Sequence, residues 1–194
     1  MEEEINSSYE DLRALLTLNG IHIYDFATTT RDHFYRRTNK KNNLFFYGPP
    51  SSGKTMVMES LVSMHYNFER LTGLTPGSSF NFSSLIHTNA CFMDECKLTE
   101  NQFEQWKLLA AGQPMCTDVK YKNRHNVSNC VLYTASNYAI GTYLMLPDVE
   151  EAIKTRTLEY RFNFTPATLF KISPWTWELL WKTECLRKDL SDED

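Results

Sequence analysis

The residues Gly48-Pro49-Pro50-Ser51-Ser52-Gly53-Lys54-Thr55 match G-x-x-x-x-G-K-[ST] in full, directly after the apolar run Leu44-Phe45-Phe46-Tyr47. A strand that stops in such a loop and continues as a helix turns successive backbone N–H groups and a helix N-terminus toward one spot, which suits polyphosphate. Gly48 and Gly53 allow a close backbone approach that a side chain would block. Lys54 can set its ammonium between the outer phosphates, and the Thr55 hydroxyl can reach the magnesium that accompanies them. The helix-like stretch from Met56 to Met64 is the context that such a loop requires.

Two more sets of residues could complete this chemistry. Asp94-Glu95 follow the apolar run Ala90-Cys91-Phe92-Met93, and Asn137 closes a run that begins at Cys130-Val131-Leu132-Tyr133. In an open parallel sheet, ligands sit at the carboxyl ends of the strands. There Asp94 can hold magnesium through water, Glu95 can polarise an attacking water, and the Asn137 amide can donate to a phosphate oxygen while orienting that water. Each pattern also has a plain structural use, since an acidic pair can start a helix and an asparagine can close a strand in a turn.

The surrounding elements must position these groups. Ser7-x-x-Glu10 reads as a capping box before Tyr9, Leu12, Leu15 and Leu16 at helical spacing, with a stop at Gly20; a second helix is expected from about Asp25 to Arg37. The helix after the glycine-rich loop is expected to reach about Arg70, followed by a loop over Gly73 to Ser79 and a short strand over Phe80 to Phe82. Thr99-x-x-Gln102 is another capping box, and Phe103, Trp106, Leu109 and Ala110 give its helix an inner face that Gly112 ends. Pro114 to Asn129 reads as a β-hairpin or extended excursion, and Leu158 to Phe164 alternates like a strand. Ser173-Pro174 suits a helix start that turns Trp177, Leu180, Trp181 and Cys185 inward. Short apolar strands alternating with helices imply an α/β fold with a parallel sheet covered on both faces.

Composition sets the outer bounds. A chain of 194 residues holds one full α/β core with a small helical appendage, and 42% hydrophobic with 23% charged residues is ordinary for a soluble globular protein. No run of about 18 apolar residues is present, so no membrane span is expected, and the acidic start Met1-Glu2-Glu3-Glu4 lacks a signal-peptide pattern. Cys91, Cys96, Cys116, Cys130 and Cys185 form no C-x-x-C pair, which points to a reducing compartment, and the five histidines show no metal-ligand spacing. The net charge is −4, yet Arg31, Arg36, Arg37, Lys40 and Lys41 crowd together, as do Lys120, Lys122, Arg124 and His125. A basic interior stripe between acidic ends is compatible with DNA passing one face. On one strand, Lys120 and Lys122 would point to the same side and could grip backbone phosphate without reading bases.

In their order, Gly48 to Thr55, Asp94-Glu95, the lysine-bearing stretch Gly112 to Lys122 and Thr134-Ala135-Ser136-Asn137 resemble the motifs of superfamily 3 helicases of small DNA viruses. The resemblance covers about Leu44 to Phe164. It is closest to the helicase domain of parvovirus nonstructural replication proteins, those of densoviruses included, with the papillomavirus replicative helicase next. The resemblance implies a parallel-sheet P-loop NTPase core of AAA+-like type behind a small N-terminal helical piece, with residues 1–41 as an oligomerisation collar and 42–194 as the ATPase domain. It implies a ring, usually a hexamer, that uses ATP and Mg2+ to move 3′ to 5′ on single-stranded DNA in a host nucleus. By motif match, Lys54 and Thr55 are the nucleotide and magnesium residues, Asp94 and Glu95 the magnesium and water residues, and Asn137 the sensor. Arg156 falls where the family carries an arginine that reaches into the neighbouring subunit's site, and Lys107, Lys120 and Lys122 match lysines of the DNA-binding hairpin motif.

The full viral proteins that this chain resembles carry a separate nicking domain built on a His-x-His metal site and a tyrosine nucleophile; the chain has no His-x-His, so the expectation is a helicase piece of a longer polypeptide, able to unwind DNA and not to cut it. Two other functions fit the same loop. A nucleoside or nucleotide kinase would use lid arginines of its own chain and need no partner subunit. A scaffold that binds ATP only as structural glue would have no use for the acid Glu95.

Overall fold

The computed structural model describes residues 2–72, 82–119, 122–142, 144–145, 148–166 and 170–191. Two helices, α1 (Glu2–Leu18) and α2 (Ile23–Phe34), precede strand β1 (Asn43–Tyr47), helix α3 (Lys54–Val62) and strand β2 (Phe68–Thr72). A 3-10 turn (Ser83–His87) leads to β3 (Ala90–Asp94), α4 (Glu100–Ala110), a hairpin of β4 (Met115–Val119) and β5 (Lys122–Val127), and then β6 (Val131–Ser136). Helix α5 (Val149–Lys154), β7 (Thr157–Arg161) and α6 (Thr176–Ser191) complete the chain.

Five strands form a parallel sheet in the order β2-β3-β6-β1-β7, and β4 pairs with β5 in a separate antiparallel ribbon. The period of two along each strand divides the apolar side chains between two cores. Leu44, Phe46, Ala90, Phe92, Val131, Tyr133 and Ala135 face one side, where they meet Leu12, Leu15 and Leu16 of α1, Phe26 of α2, Val57 and Leu61 of α3, and Trp177, Leu180 and Trp181 of α6. Phe45, Cys91, Met93 and Leu132 face the other side, against Phe103, Trp106 and Leu109 of α4, Met115 and Val127 of the hairpin, and Ile153 of α5. A sheet buried on both faces explains why its central strands read as unbroken apolar runs. The amino-terminal helices therefore share one core with the sheet and α6. No helix among the described residues is long and apolar enough to cross a membrane.

Several expectations need correction. Helix α1 begins at Glu2, not at a Ser7 cap: the acids Glu2, Glu3 and Glu4 occupy its first turn, where they favour the helix dipole, and the buried Ser8 hydroxyl donates to the Lys171 carbonyl at 3.2 Å. Helix α2 runs over Ile23–Phe34, shifted from the expected bounds. Helix α3 ends at Val62 and does not reach Arg70, which lies on β2. The Ser60 hydroxyl donates to the Val57 carbonyl at 2.8 Å and Ser63 to the Ser60 carbonyl at 2.8 Å, bonds that compete with continuation of the helix. Phe82 immediately precedes the 3-10 turn, whereas the loop over Gly73 to Ser79 and the strand expected at Phe80 and Asn81 lie outside the described residues. The Thr99 cap holds, with its N–H donating to Gln102 Oε1 at 2.9 Å, and Ser173-Pro174 forms the turn one step ahead of α6.

A cluster of imidazoles lies where α2, α3 and β6 meet. His33 is 1% exposed and packs edge-on to Tyr133, with ring centroids 4.9 Å apart; His65 Nε2 lies 2.7 Å from the Tyr133 hydroxyl. Burial, aided by neighbouring His65, holds His33 down to about 3, and burial, aided by Arg36, holds His65 down to about 4, from an ordinary 6.5. Both rings fold neutral, while the unfolded chain takes protons below 6.5, so stability from their burial is complete above that pH and declines as pH falls toward 3 to 4. Urea unfolding between pH 7.5 and 4.5 should therefore show steadily falling stability, and His33→Phe should flatten that decline. Equal slopes for parent and variant would remove His33 as its source.

Candidate functional site

The parallel register levels the ends of three neighbouring strands. Tyr47 of β1 is opposite Ser136 of β6, and Asp94 of β3 is opposite Ala135. The chain continues from these ends with Gly48, Glu95 and Asn137. The Gly48 N–H donates to the Ser136 carbonyl at 3.3 Å and the Glu95 N–H to the Ala135 carbonyl at 2.9 Å, so the three loops are stitched together just beyond the sheet.

Gly48 has φ +144, and a Cβ built on it would lie 1.8 Å from the Phe162 carbonyl oxygen, so only glycine lets the loop leave β1 at this point. Gly53 at φ +87 turns the loop into α3, whose first two residues are Lys54 and Thr55. Ser51 (φ 59) and Glu95 (φ 54) also adopt the left-handed conformation, which costs a residue with a Cβ about 1 kcal/mol or more. At Glu95 this backbone turn ends the strand.

The side chains converge. Lys54 is buried, and its ammonium donates to the Pro49 carbonyl at 2.6 Å, Ser52 Oγ at 3.1 Å and Asn137 Oδ1 at 3.3 Å. Asn137 Nδ2 donates to Glu95 Oε1 at 2.7 Å, and the Thr55 hydroxyl lies 3.5 Å from Asp94 Oδ1. Burial lowers the pKa of Lys54, while the charges of Glu95 and Asp94 act against that shift. A buried ammonium held on three neutral oxygens inside a glycine-rich loop is a site for a polyanion. Thr55 and Asp94 present hard oxygen donors, which suit magnesium rather than zinc. Lys54, Thr55, Asp94, Glu95 and Asn137 are thus brought together as expected.

The other expected residues lie elsewhere. Arg156 precedes β7 at the amino-terminal edge of the sheet, where its carbonyl accepts from the Asn43 N–H at 3.2 Å; one strand length, about 17 Å, separates it from the glycine-rich loop of the same chain. Its guanidinium donates to the Ala152 carbonyl at 2.8 Å and to Thr155 Oγ1 at 3.0 Å. Lys107 pairs with Glu104 of its own helix at 2.7 Å and lies 5.3 Å from the Phe103 ring centroid. The expected hairpin is present, with β4 ending at Val119 paired with Lys122 at the start of β5. Lys120 lies outside the described residues.

One group was not foreseen. Arg70 on edge strand β2 pairs with Asp94 Oδ2 at 2.7 Å and with Glu59 of α3. Phe68-Glu69-Arg70-Leu71-Thr72 is short and half polar, because an edge strand is covered on fewer sides, and it offers no apolar run to read. Its apolar residues Phe68 and Leu71 are three apart, so the segment carries no period-two signal either.

A family model described as papillomavirus helicase matches residues 1–194. The chain is 27% identical over 138 residues to the Initiator protein NS1 of Aleutian mink disease parvovirus (strain G), covering 70% of this chain and 23% of that protein. It is 24% identical over 199 residues to Replication protein E1 of Human papillomavirus 9, covering 98% of this chain and 32% of that one. The chain therefore spans a third or less of the length of these two relatives. Among solved structures, the X-ray structure of JCV helicase superposes with a TM-score of 0.60 at 16% identity, covering 93% of this chain and 54% of that one, a likeness of fold.

The contact at Gly48 gives a direct test. Gly48→Ala must move the Phe162 carbonyl or the loop, and overpacking of this kind costs about 1 to 3 kcal/mol before backbone strain is added. A thermal melt should show a midpoint several degrees below the parent, and an unchanged midpoint would contradict the 1.8 Å approach.

Proposed function

The chain belongs to the papillomavirus helicase family, and from that premise we propose that it is an ATP-hydrolysing motor that moves 3′ to 5′ on single-stranded DNA as a ring, a hexamer, within a viral replication initiator. The observation that carries the reading is the continuous set of contacts from Lys54 through Asn137 to Glu95, with Thr55 beside Asp94. Such a set lies where one triphosphate could meet an ammonium, an amide and two carboxylates.

In this reading Lys54 exchanges its neutral oxygen partners for outer phosphate oxygens, and its ammonium balances charge that grows there in the transition state. Thr55 and Asp94 hold magnesium, whose chemistry when bound is to neutralise the phosphates. Glu95 takes the proton of the attacking water, and Asn137, already hydrogen-bonded to Glu95, fixes where that water sits. Arg156 serves a neighbouring subunit, which agrees with its distance from the site of its own chain. The hairpin lysines Lys120 and Lys122, with Lys107, attract the DNA backbone. Five unpaired cysteines, four of them buried, support work in a reducing compartment such as a host nucleus.

Lys54→Ala should abolish ATP binding and turnover, while Glu95→Gln should bind ATP at close to parental affinity and lose turnover about 100-fold or more. Single-stranded DNA should stimulate the parent. A Glu95→Gln protein that hydrolyses ATP at the parental rate would remove the proposed role of that carboxylate.

Assembly has its own test. Arg156→Ala and Lys54→Ala should each be inactive alone, yet a mixture should recover part of the turnover, since mixed oligomers pair an intact loop with an intact arginine. A mixture as inactive as its components would count against action between subunits.

A further inference from the structure

We propose that Arg70 is a positioning residue for Asp94, holding one carboxylate oxygen so that the other remains on the Thr55 side, where a divalent cation binds beside nucleotide; the inference rests on the ATPase reading. The two oxygens of Asp94 are already divided in this way. Oδ2 accepts from Arg70 Nη2 at 2.7 Å, while Oδ1 lies 3.5 Å from the Thr55 hydroxyl.

Arg70 is itself fixed from three directions. It pairs in register with Phe92 on β3, its guanidinium carbon lies 5.2 Å from the Phe92 ring centroid, and its other terminal nitrogen meets Glu59. Glu59 follows Thr55 by four residues, so both lie on one face of α3. The helix that opens with the cation-side hydroxyl thus also carries the carboxylate that anchors the arginine.

Arginine suits this place because its planar fork can bond two separate carboxylates at once, which a lysine ammonium on a flexible stem does less rigidly. Charge does not oppose cation binding. Glu59, Arg70 and Asp94 together leave one net negative charge, so the guanidinium orients Asp94 without cancelling the attraction. The Asp94 side chain is 21% exposed, and without Arg70 it could rotate toward water. Hydrogen bonds that fix a metal-binding carboxylate are typically worth 10- to 100-fold in metal affinity.

The test is a titration of Mg2+ into protein with a fluorescent ATP analogue, starting in EDTA, repeated with Mn2+ read by paramagnetic resonance. Arg70→Met should bind the analogue in EDTA within about twofold of the parent, yet require at least about tenfold more Mg2+ or Mn2+ for half-saturation. Arg70→Lys should recover part of that loss. Glu59→Gln, which loosens Arg70 without removing it, should shift the midpoint in the same direction by less. A midpoint for Arg70→Met equal to or below the parent's would overturn the proposal and leave an ordinary ion pair. If the parent binds the analogue and Lys54→Ala does not, the nucleotide site on which the ATPase reading rests stands, and the cation midpoint alone decides about Arg70. If the parent binds no analogue with or without cation, both fall.

Discussion

The parallel register of β1, β3 and β6 is the constraint on which the rest of the molecule depends. Because Tyr47, Asp94 and Ser136 end their strands within one residue of the same level, the next residues of three distant segments meet. That register is held by side chains buried on both faces, and slipping one strand by a single residue would turn every one of them to the wrong core. The close packing of Gly48 on the Phe162 backbone ties β1 and the chain after β7 into the same arrangement. Precision at the site is thus a property of the sheet.

Charge is arranged around this frame in layers. Lys54 is buried among neutral oxygens, the acids Asp94 and Glu95 stand beyond it, and Arg70 with Glu59 stands beyond Asp94. A buried ammonium is costly unless its hydrogen bonds are made, and here all three contacts come from the loop and the neighbouring strand end. The opposite edge of the sheet carries Arg156, within hydrogen-bond reach of its own helix α5.

The glycine-rich loop, the central strands and the inward faces of α4 and α6 were legible in the sequence because each is a local pattern. Gly48 to Thr55 specifies a conformation by residue type, and runs such as Phe45-Phe46 or Val131-Leu132-Tyr133 are unbroken because both sides of the sheet are covered. The Thr99 to Gln102 cap is equally local. Serine near a helix start was misleading: Ser7 lies inside α1, and what Ser8 bonds to is the carbonyl of Lys171, far along the chain.

By itself, then, the sequence determined which groups could do chemistry, since residue type and spacing decide what a lysine, two acids and an amide at strand ends are able to bind. The tertiary structure decided which of them meet. It alone brought β2 to the sheet edge and put Arg70 on Asp94, because an edge strand gains its place from hydrogen bonds to a neighbour 22 residues along the chain and from no apolar run of its own. It also separated Arg156 from the loop of its own chain, since which edge a residue occupies depends on pairings that no local pattern records.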